Sequence, residues 1–262
     1  WTVDLAGVDW KAARNRYRPL LDRVATRSEL SDLIWDMQGE LNTSHTYEIG
    51  GDYAPPPAYR IGLLGADLES DSASGRYRFK RIYAGDGWIK GHGSPLLASG
   101  VNVKEGDYLF KVDGIEAKSP LHPNALLANR VDVQVTLAVG SSADPAKARE
   151  VTVCTISDES KARYRDWVRS KRELVAKRSG NRLGYLHIPD MGCQGLIEFH
   201  RGLYTESLKD GLIVDVRFNG GGFVSGMIIS KLARRPVGYG RRRSGLPVAY
   251  PEHAVRGPIV AI

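Results

Sequence analysis

Cysteine is scarce: the 262 residues hold only Cys154 and Cys193. Neither lies in a CxxC or other metal-type spacing, so a disulfide scaffold and a cysteine-rich metal cluster are excluded. This usage suits a reducing, cytoplasmic setting. Long apolar runs are lacking too. None approaches the ~18–20 residues that a membrane-spanning helix needs. The opening WTVDLAGVDWKAARNRY has polar and charged residues where a secretion signal needs an apolar core, so no membrane partner is expected. The chain opens on Trp1 rather than methionine and is on that ground expected to be a piece of a longer one. The six histidines (His45, His92, His122, His187, His200 and His253) show neither HxxxH nor HxH spacing, so no metal site is expected. The GxGxxG and GxxxxGK[ST] loops are missing as well. No cofactor is implied.

What is there is an ordinary globular composition, 42% hydrophobic, with a formal charge of +7. The basic residues are spread along the chain apart from one cluster, Arg241 to Arg243. Neither a groove-reading helix nor an aromatic stacking platform accompanies them, so nucleic acid is not the expected partner. They read as a solvated basic face, or as a patch that attracts acidic peptide segments.

The segment VDWKAARNRYRPLLDRV carries Trp10, Tyr17, Leu20 and Leu21 at helical spacing. Thr26 and Glu29 have capping-box spacing, and Leu30, Leu33, Ile34, Met37 and Leu41 follow as an apolar stripe. The stripe predicts a core-facing helix ending near Gly39 to Asn42, which delivers Ser44 and His45 to its C-terminal end. GGDYAPPPAYR is a linker. From Tyr59 to about Ile156, short alternating segments separated by turns predict a small β-rich domain interrupted by one helix, PNALLANR. After Ser157 comes a highly charged, mostly exposed helix. Strands (RLGYLHI, GLIVDVRF, GPIVAI) then alternate with helices (GLIEFHRGLYTES, FVSGMIISKLARR), as βαβ units and a largely parallel sheet require. The expected organisation is an α/β core, residues 1–54 and 157–262 packed together, split by a β domain over 55–156.

Two places are candidates for chemistry. DVRFNGGGFVSG, Asp215 to Gly226, runs from a buried strand through three glycines into a helix, so unobstructed backbone N–H groups favour an anion there: a phosphate, or the oxyanion of acyl transfer. The competing reading is tight strand-to-helix packing alone. Ser225 misses the GxSxG register by one residue and is expected to face inward along its helix. His45 is either a catalytic base or a cap for the last carbonyls of the preceding helix. His187, in a strand, is expected to be a satisfied core imidazole.

Taken together, MQGELNTSHTYEIGGDY, the β insert, LIVDVRFNGGGFVSGMIISKLARR and AVRGPIVAI resemble the catalytic core of the tricorn proteases, within the carboxyl-terminal processing serine peptidases. EGDYLFKVDGIEA, Glu105 to Ala117, is similar to a PDZ signature. The resemblance implies a split ClpP/crotonase-like α/β core interrupted by a PDZ-like domain. It makes His45 the general base and Ser44 its relay, and puts the oxyanion hole at Gly222 with Gly221 beside it. Leu64, Gly65 and Ala66 stand where a PDZ carboxylate loop takes a peptide; the alternative is an insert that only shapes the active-site entrance. It further implies peptide substrates, unfolded or proteasome-sized, and a homo-oligomer, trimer or hexamer. Where the family has an aspartate that attracts basic side chains, this chain has Gly240. The family's nucleophilic serine follows the strand that ends here at Ile262, so these residues are expected to form a fragment lacking it. The rival expectation is a non-catalytic, PDZ-type peptide-binding protein with an α/β scaffold.

Overall fold

The computed structural model describes residues 3–54, 58–86, 89, 92–245 and 247–262; the triple-proline part of the linker lies outside them. The chain forms two compact units, Trp1–Tyr59 and Arg60–Ile262.

In the first unit, α1 (Trp10–Tyr17) passes into a 3-10 stretch, Arg18–Arg23. The single helix expected over this region breaks because Pro19 supplies no N–H to an α-helical ladder. Helix α2 (Arg27–Gly39) starts at the capping box read from the sequence. Thr26 Oγ1 accepts from Glu29 N at 3.2 Å, and Glu29 Oε2 accepts from Thr26 N at 2.9 Å. Its apolar stripe does not close into a core within this unit. Leu30, Leu33, Ile34 and Met37 line, with Tyr17 and Leu21, an open cleft of about 400 Å³, because a pair of helices can cover only one side of each.

The second unit begins with an antiparallel sheet: β1 (Ala66–Asp71), β2 (Arg76–Ile82), β3 (Tyr108–Val112), β4 (Ile115–Glu116), β5 (Gln134–Gly140) and β6 (Arg149–Cys154). The spatial order is β1-β2-β3-β5-β6, with β4 paired to β3. Phe79, Leu96, Leu109, Leu127 and Leu137 fill its core, and the short helix α3 (Pro123–Leu126) follows β4. The strand expected around Tyr59 to Leu68 forms later than its pattern suggested. Among the described residues, only single bridges at Ile61 and Leu63 precede β1, since Gly65, at φ +64°, turns the chain before pairing starts.

Helix α4 (Ser160–Arg178) leads to β7 (Leu183–His187), α5 (Cys193–Glu206), β8 (Gly211–Asp215), α6 (Ser225–Leu232) and β11 (Ile259–Ala261). β7, β8 and β11 form the expected parallel sheet, with β8 in the middle. Leu186, Ile188, Phe199, Leu203, Leu212, Val214 and Ile228 form its core. A hairpin of β9 (Gly238–Gly240) and β10 (Val248–Tyr250) was not anticipated; its three-residue strands are too short and too rich in glycine to show a period of two. Ion pairs join the β insert to the helices after it. Arg163 lies 2.7 Å from Asp67, Arg81 2.6 Å from Asp166, and Arg201 2.9 Å from Asp86.

Candidate active site

The triple-glycine loop follows β8, at the end of a parallel sheet where loops of α/β folds gather ligands. It is fixed by Asn219, whose Nδ2 donates to Ile188 O at 2.9 Å and whose Oδ1 accepts from Gly221 N at 2.8 Å. Gly220 N donates to Pro189 O at 2.9 Å. Gly222 then bridges Met191 in parallel fashion: Met191 N donates to Gly221 O at 2.7 Å and Phe223 N to Met191 O at 2.6 Å. In such a bridge the flanking residues make the bonds, and the amide of the central one faces away. The Gly222 N–H has no acceptor among the described residues, and the residue is exposed. Of the two glycines singled out from the sequence, then, Gly222 offers a free donor, whereas the Gly221 N–H is already bonded. Ser225 is exposed at the first turn of α6, not inward-facing as expected; Ile228 is the buried residue of that helix, which sets its register.

Below the loop sits an ionic anchor. Asp215, fully buried, accepts from Tyr185 Oη at 2.8 Å, from Arg217 N at 3.0 Å and from Arg217 Nη2 at 2.6 Å. Burial alone would push its carboxyl up, but the Arg217 side chain and amide and the Tyr185 hydroxyl hold it down at about 2. A carboxylate whose folded pKa is depressed adds stability above its unfolded value and loses it as pH falls through the folded one. Asp215 should therefore contribute on the order of 1–2 kcal/mol at neutral pH, lost between roughly pH 4 and pH 2. Thermal denaturation across that range tests this. Asp215→Asn should flatten the acid limb, and an unchanged limb would discard the assignment.

His187 is the satisfied core imidazole expected. It is 4% exposed, its Nε2 lies 2.8 Å from Arg217 O, and its Nδ1 lies 3.0 Å from the Tyr164 hydroxyl. Since a carbonyl only accepts, Nε2 donates and Nδ1 accepts.

In the first unit, α2 ends in turns that carry the chain to Asn42, at φ +47°, and His45, at φ +65°. Both are residue types that tolerate left-handed backbone. The segment is tied back to the start of α2. Arg27 pairs closely with Glu48, Ser31 Oγ donates to Glu48 Oε2 at 3.1 Å, and the Arg27 guanidinium lies 4.9 Å from the centre of the Tyr53 ring. His45 is exposed, and its Nδ1 lies 3.2 Å from the Tyr47 hydroxyl. Ser44 Oγ makes no bond to the ring among the described residues. Tyr47 is thus a neighbour the sequence reading missed; a tyrosine two residues after a histidine carries no distinguishing pattern.

A groove lies along β1, an edge strand of its sheet among the described residues. About 360 Å³ in volume, it is lined by Leu64, Ala66, Leu68, His122 and Asn124, with Glu159, just before α4, and Arg163 of α4 also contributing. Leu64 O accepts from Ser94 Oγ at 2.6 Å, and Gly65 O from Tyr83 N at 2.9 Å. The N–H groups of Leu64 and Gly65 have no acceptor among the described residues. A Cβ on Gly65 would come within 2.7 Å of Ser94 Cα, so the turn that presents these amides requires glycine. Among the described residues no cluster of side chains is arranged to hold a metal ion, and no helix is long and apolar enough to cross a membrane.

Comparison with known proteins gives this arrangement its class. Residues 182–260, which carry the parallel sheet and the glycine loop, match Peptidase family S41. Residues 1–39 match the Tricorn protease C1 domain and residues 62–158 the Tricorn protease PDZ domain. All of this chain aligns at 42% identity with 24% of the Tricorn protease homolog 1 of Streptomyces coelicolor, and 94% of it at 38% identity with 23% of the Tricorn protease of Thermoplasma acidophilum. A crystal structure of the tricorn protease superposes on 96% of the chain, and 24% of its own, with a TM-score of 0.84 at 37% identity. By residues 182–260 the chain falls among the proteins that match Peptidase family S41. Within them it is a member of the tricorn protease group, spanning about a quarter of the length of the relatives it matches.

Proposed function

We propose that the protein is a serine endopeptidase of tricorn type that cleaves unfolded or proteasome-sized peptides in the cytoplasm. In this reading His45 takes the proton of a serine hydroxyl supplied from outside these residues and returns it to the leaving amine. Ser44 or Tyr47 holds the imidazole, and the Gly222 N–H receives the oxyanion of the tetrahedral intermediate. The proposed organisation is a peptidase core over 1–54 and 157–262 with the insert over 55–156, and the family suggests a homo-oligomer, trimer or hexamer. The observation that carries the reading is the outward Gly222 amide, without an acceptor among the described residues, on a loop of the S41-matched segment. A fluorophosphonate probe applied to the folded full-length protein should label one serine, and His45→Ala should abolish the labelling. Absence of any labelled serine would remove the catalytic reading.

A second reading, peptide binding by the insert with no catalysis, draws on the open edge of β1 and the free amides of Leu64 and Gly65. With Leu64, Gly65 and Ala66 as a carboxylate loop, a peptide lies along β1 as an added strand. A peptide with a free C-terminal carboxylate should then bind about tenfold more tightly than its C-terminal amide, about 1.4 kcal/mol. Fluorescence anisotropy measures this; equal affinities would leave the insert as a wall of the active-site entrance.

A further inference from the structure

Of the pockets on the second unit, two that are rich in cations differ in whether their charge is answered. The larger, about 460 Å³, is lined by Arg165, Arg169, Arg172 and Arg201. Each of these has a carboxylate: Arg165 pairs with Glu198, Arg169 lies 2.5 Å from Asp166, Arg172 3.4 Å from Glu206, and Arg201 2.9 Å from Asp86. The smaller, about 240 Å³, lies between α5, the end of α6 and the turn after β10. His200, Tyr204, Lys231, Arg234 and His253 line it, with Glu252 the one acidic member. Neither Lys231 nor Arg234 forms an ion pair among the described residues. His200 Nδ1 is shut off from solvent and has no hydrogen-bond partner, a costly state for a buried polar atom. Burial and then Lys231 push this imidazole's pKa down.

The surroundings extend the same imbalance. From Phe218 to Ile262 there are seven Lys and Arg against Glu252 alone, so six of the chain's net +7 charges sit in this stretch. None of the seven forms an ion pair among the described residues. The hairpin register places Gly238 opposite Tyr250, which brings the ends of both strands beside the pocket. Arg241 to Arg243, all exposed, follow β9 toward the tip. Cations this dense and unpaired are more than a single small oxyanion meets; they match a linear polyanion. A chain that carries a peptidase segment and a PDZ domain encounters that polyanion as polypeptide.

We propose that this face binds an acidic peptide segment, one side-chain carboxylate seated between Lys231 and Arg234 against His200, and neighbouring acids held along the β9–β10 hairpin. The choice of polypeptide as the occupant rests on the proposed peptidase reading, whereas the binding measured below needs no turnover. The proposal is tested by anisotropy on the full-length protein with a dye-labelled glutamate-rich peptide and its glutamine counterpart. The glutamate peptide should bind about tenfold or more tightly than the glutamine one, with affinity falling as salt rises. Lys231→Met with Arg234→Met should erase most of that difference, while circular dichroism and hydrolysis of a neutral peptide stay as in the parent. The ring protons of His200 should shift on titration with the acidic peptide. Equal binding of the two peptides, or an undiminished preference in the double variant, overturns the proposal. So does displacement of the peptide by inorganic phosphate or an oligonucleotide at equal or lower concentration, which would give the site to a free oxyanion or to nucleic acid.

Discussion

In the full-length protein, His45→Ala is expected to lower kcat by about 10⁴-fold or more while leaving KM within a few-fold, the pattern of a lost proton-transfer group. The expectation follows from the chemistry of the residue and its setting. The ring is exposed, held at a left-handed turn, and bonded at Nδ1 to a hydroxyl, which leaves Nε2 for substrate. The segment is anchored by Arg27, Ser31 and Glu48 rather than by the ring, so the substitution should not disturb folding. Companion variants separate the two hydroxyls that could orient it. If Tyr47 is the partner during turnover, Tyr47→Phe costs more than Ser44→Ala; if the relay suggested by family resemblance operates, the order reverses. Initial rates on a fluorogenic peptide, with thermal denaturation as a folding control, decide between them. A His45→Ala protein that keeps more than about a tenth of parental kcat would end its role as base.

How much of this was legible in the sequence depended on whether a feature is local. The α2 capping box, the alternating β insert and the βαβ order are written in neighbouring residues, and the structure has them. The break after Tyr17 was also local, marked by Pro19, but was overruled by an apolar period that runs through it. The half-open stripe of α2 was not legible, since apolar periodicity states which face seeks cover without stating what covers it. The same limit applied to Ser225, where register within α6 depends on Ile228 reaching the sheet core. Asn219 illustrates a third kind. Its place before the glycines is visible, but its hydrogen bonds to Ile188 O and from Gly221 N, which make the Gly221 amide unavailable, depend on a partner 31 residues upstream in the chain, just as the bridge to Met191 leaves the Gly222 amide without an acceptor among the described residues.

That difference between adjacent glycines yields the second large effect. A Cβ on Gly222 would lie 2.2 Å from Met191 O and 2.3 Å from Met191 C, at φ +138°, a region that side chains rarely adopt. Met191 O is at that point the acceptor for both Phe223 N, at 2.6 Å, and Val224 N, at 2.8 Å. Neither partner can yield without breaking the bridge that aims the Gly222 amide. Gly222→Ala should therefore lower kcat by about 10²–10³-fold, the cost of losing one oxyanion donor, together with a lower melting temperature. Gly221→Ala is the control. At φ +78° its Cβ meets nothing within 4 Å, and its amide is already bonded to Asn219. It should cost about 1–2 kcal/mol of stability from backbone strain and leave kcat within several-fold of the parent. Rates measured below both melting temperatures separate catalysis from unfolding. Parallel losses in the two variants would mean that the loop acts through its rigidity, not through a donated hydrogen bond, and the oxyanion would then have to be received by other amides.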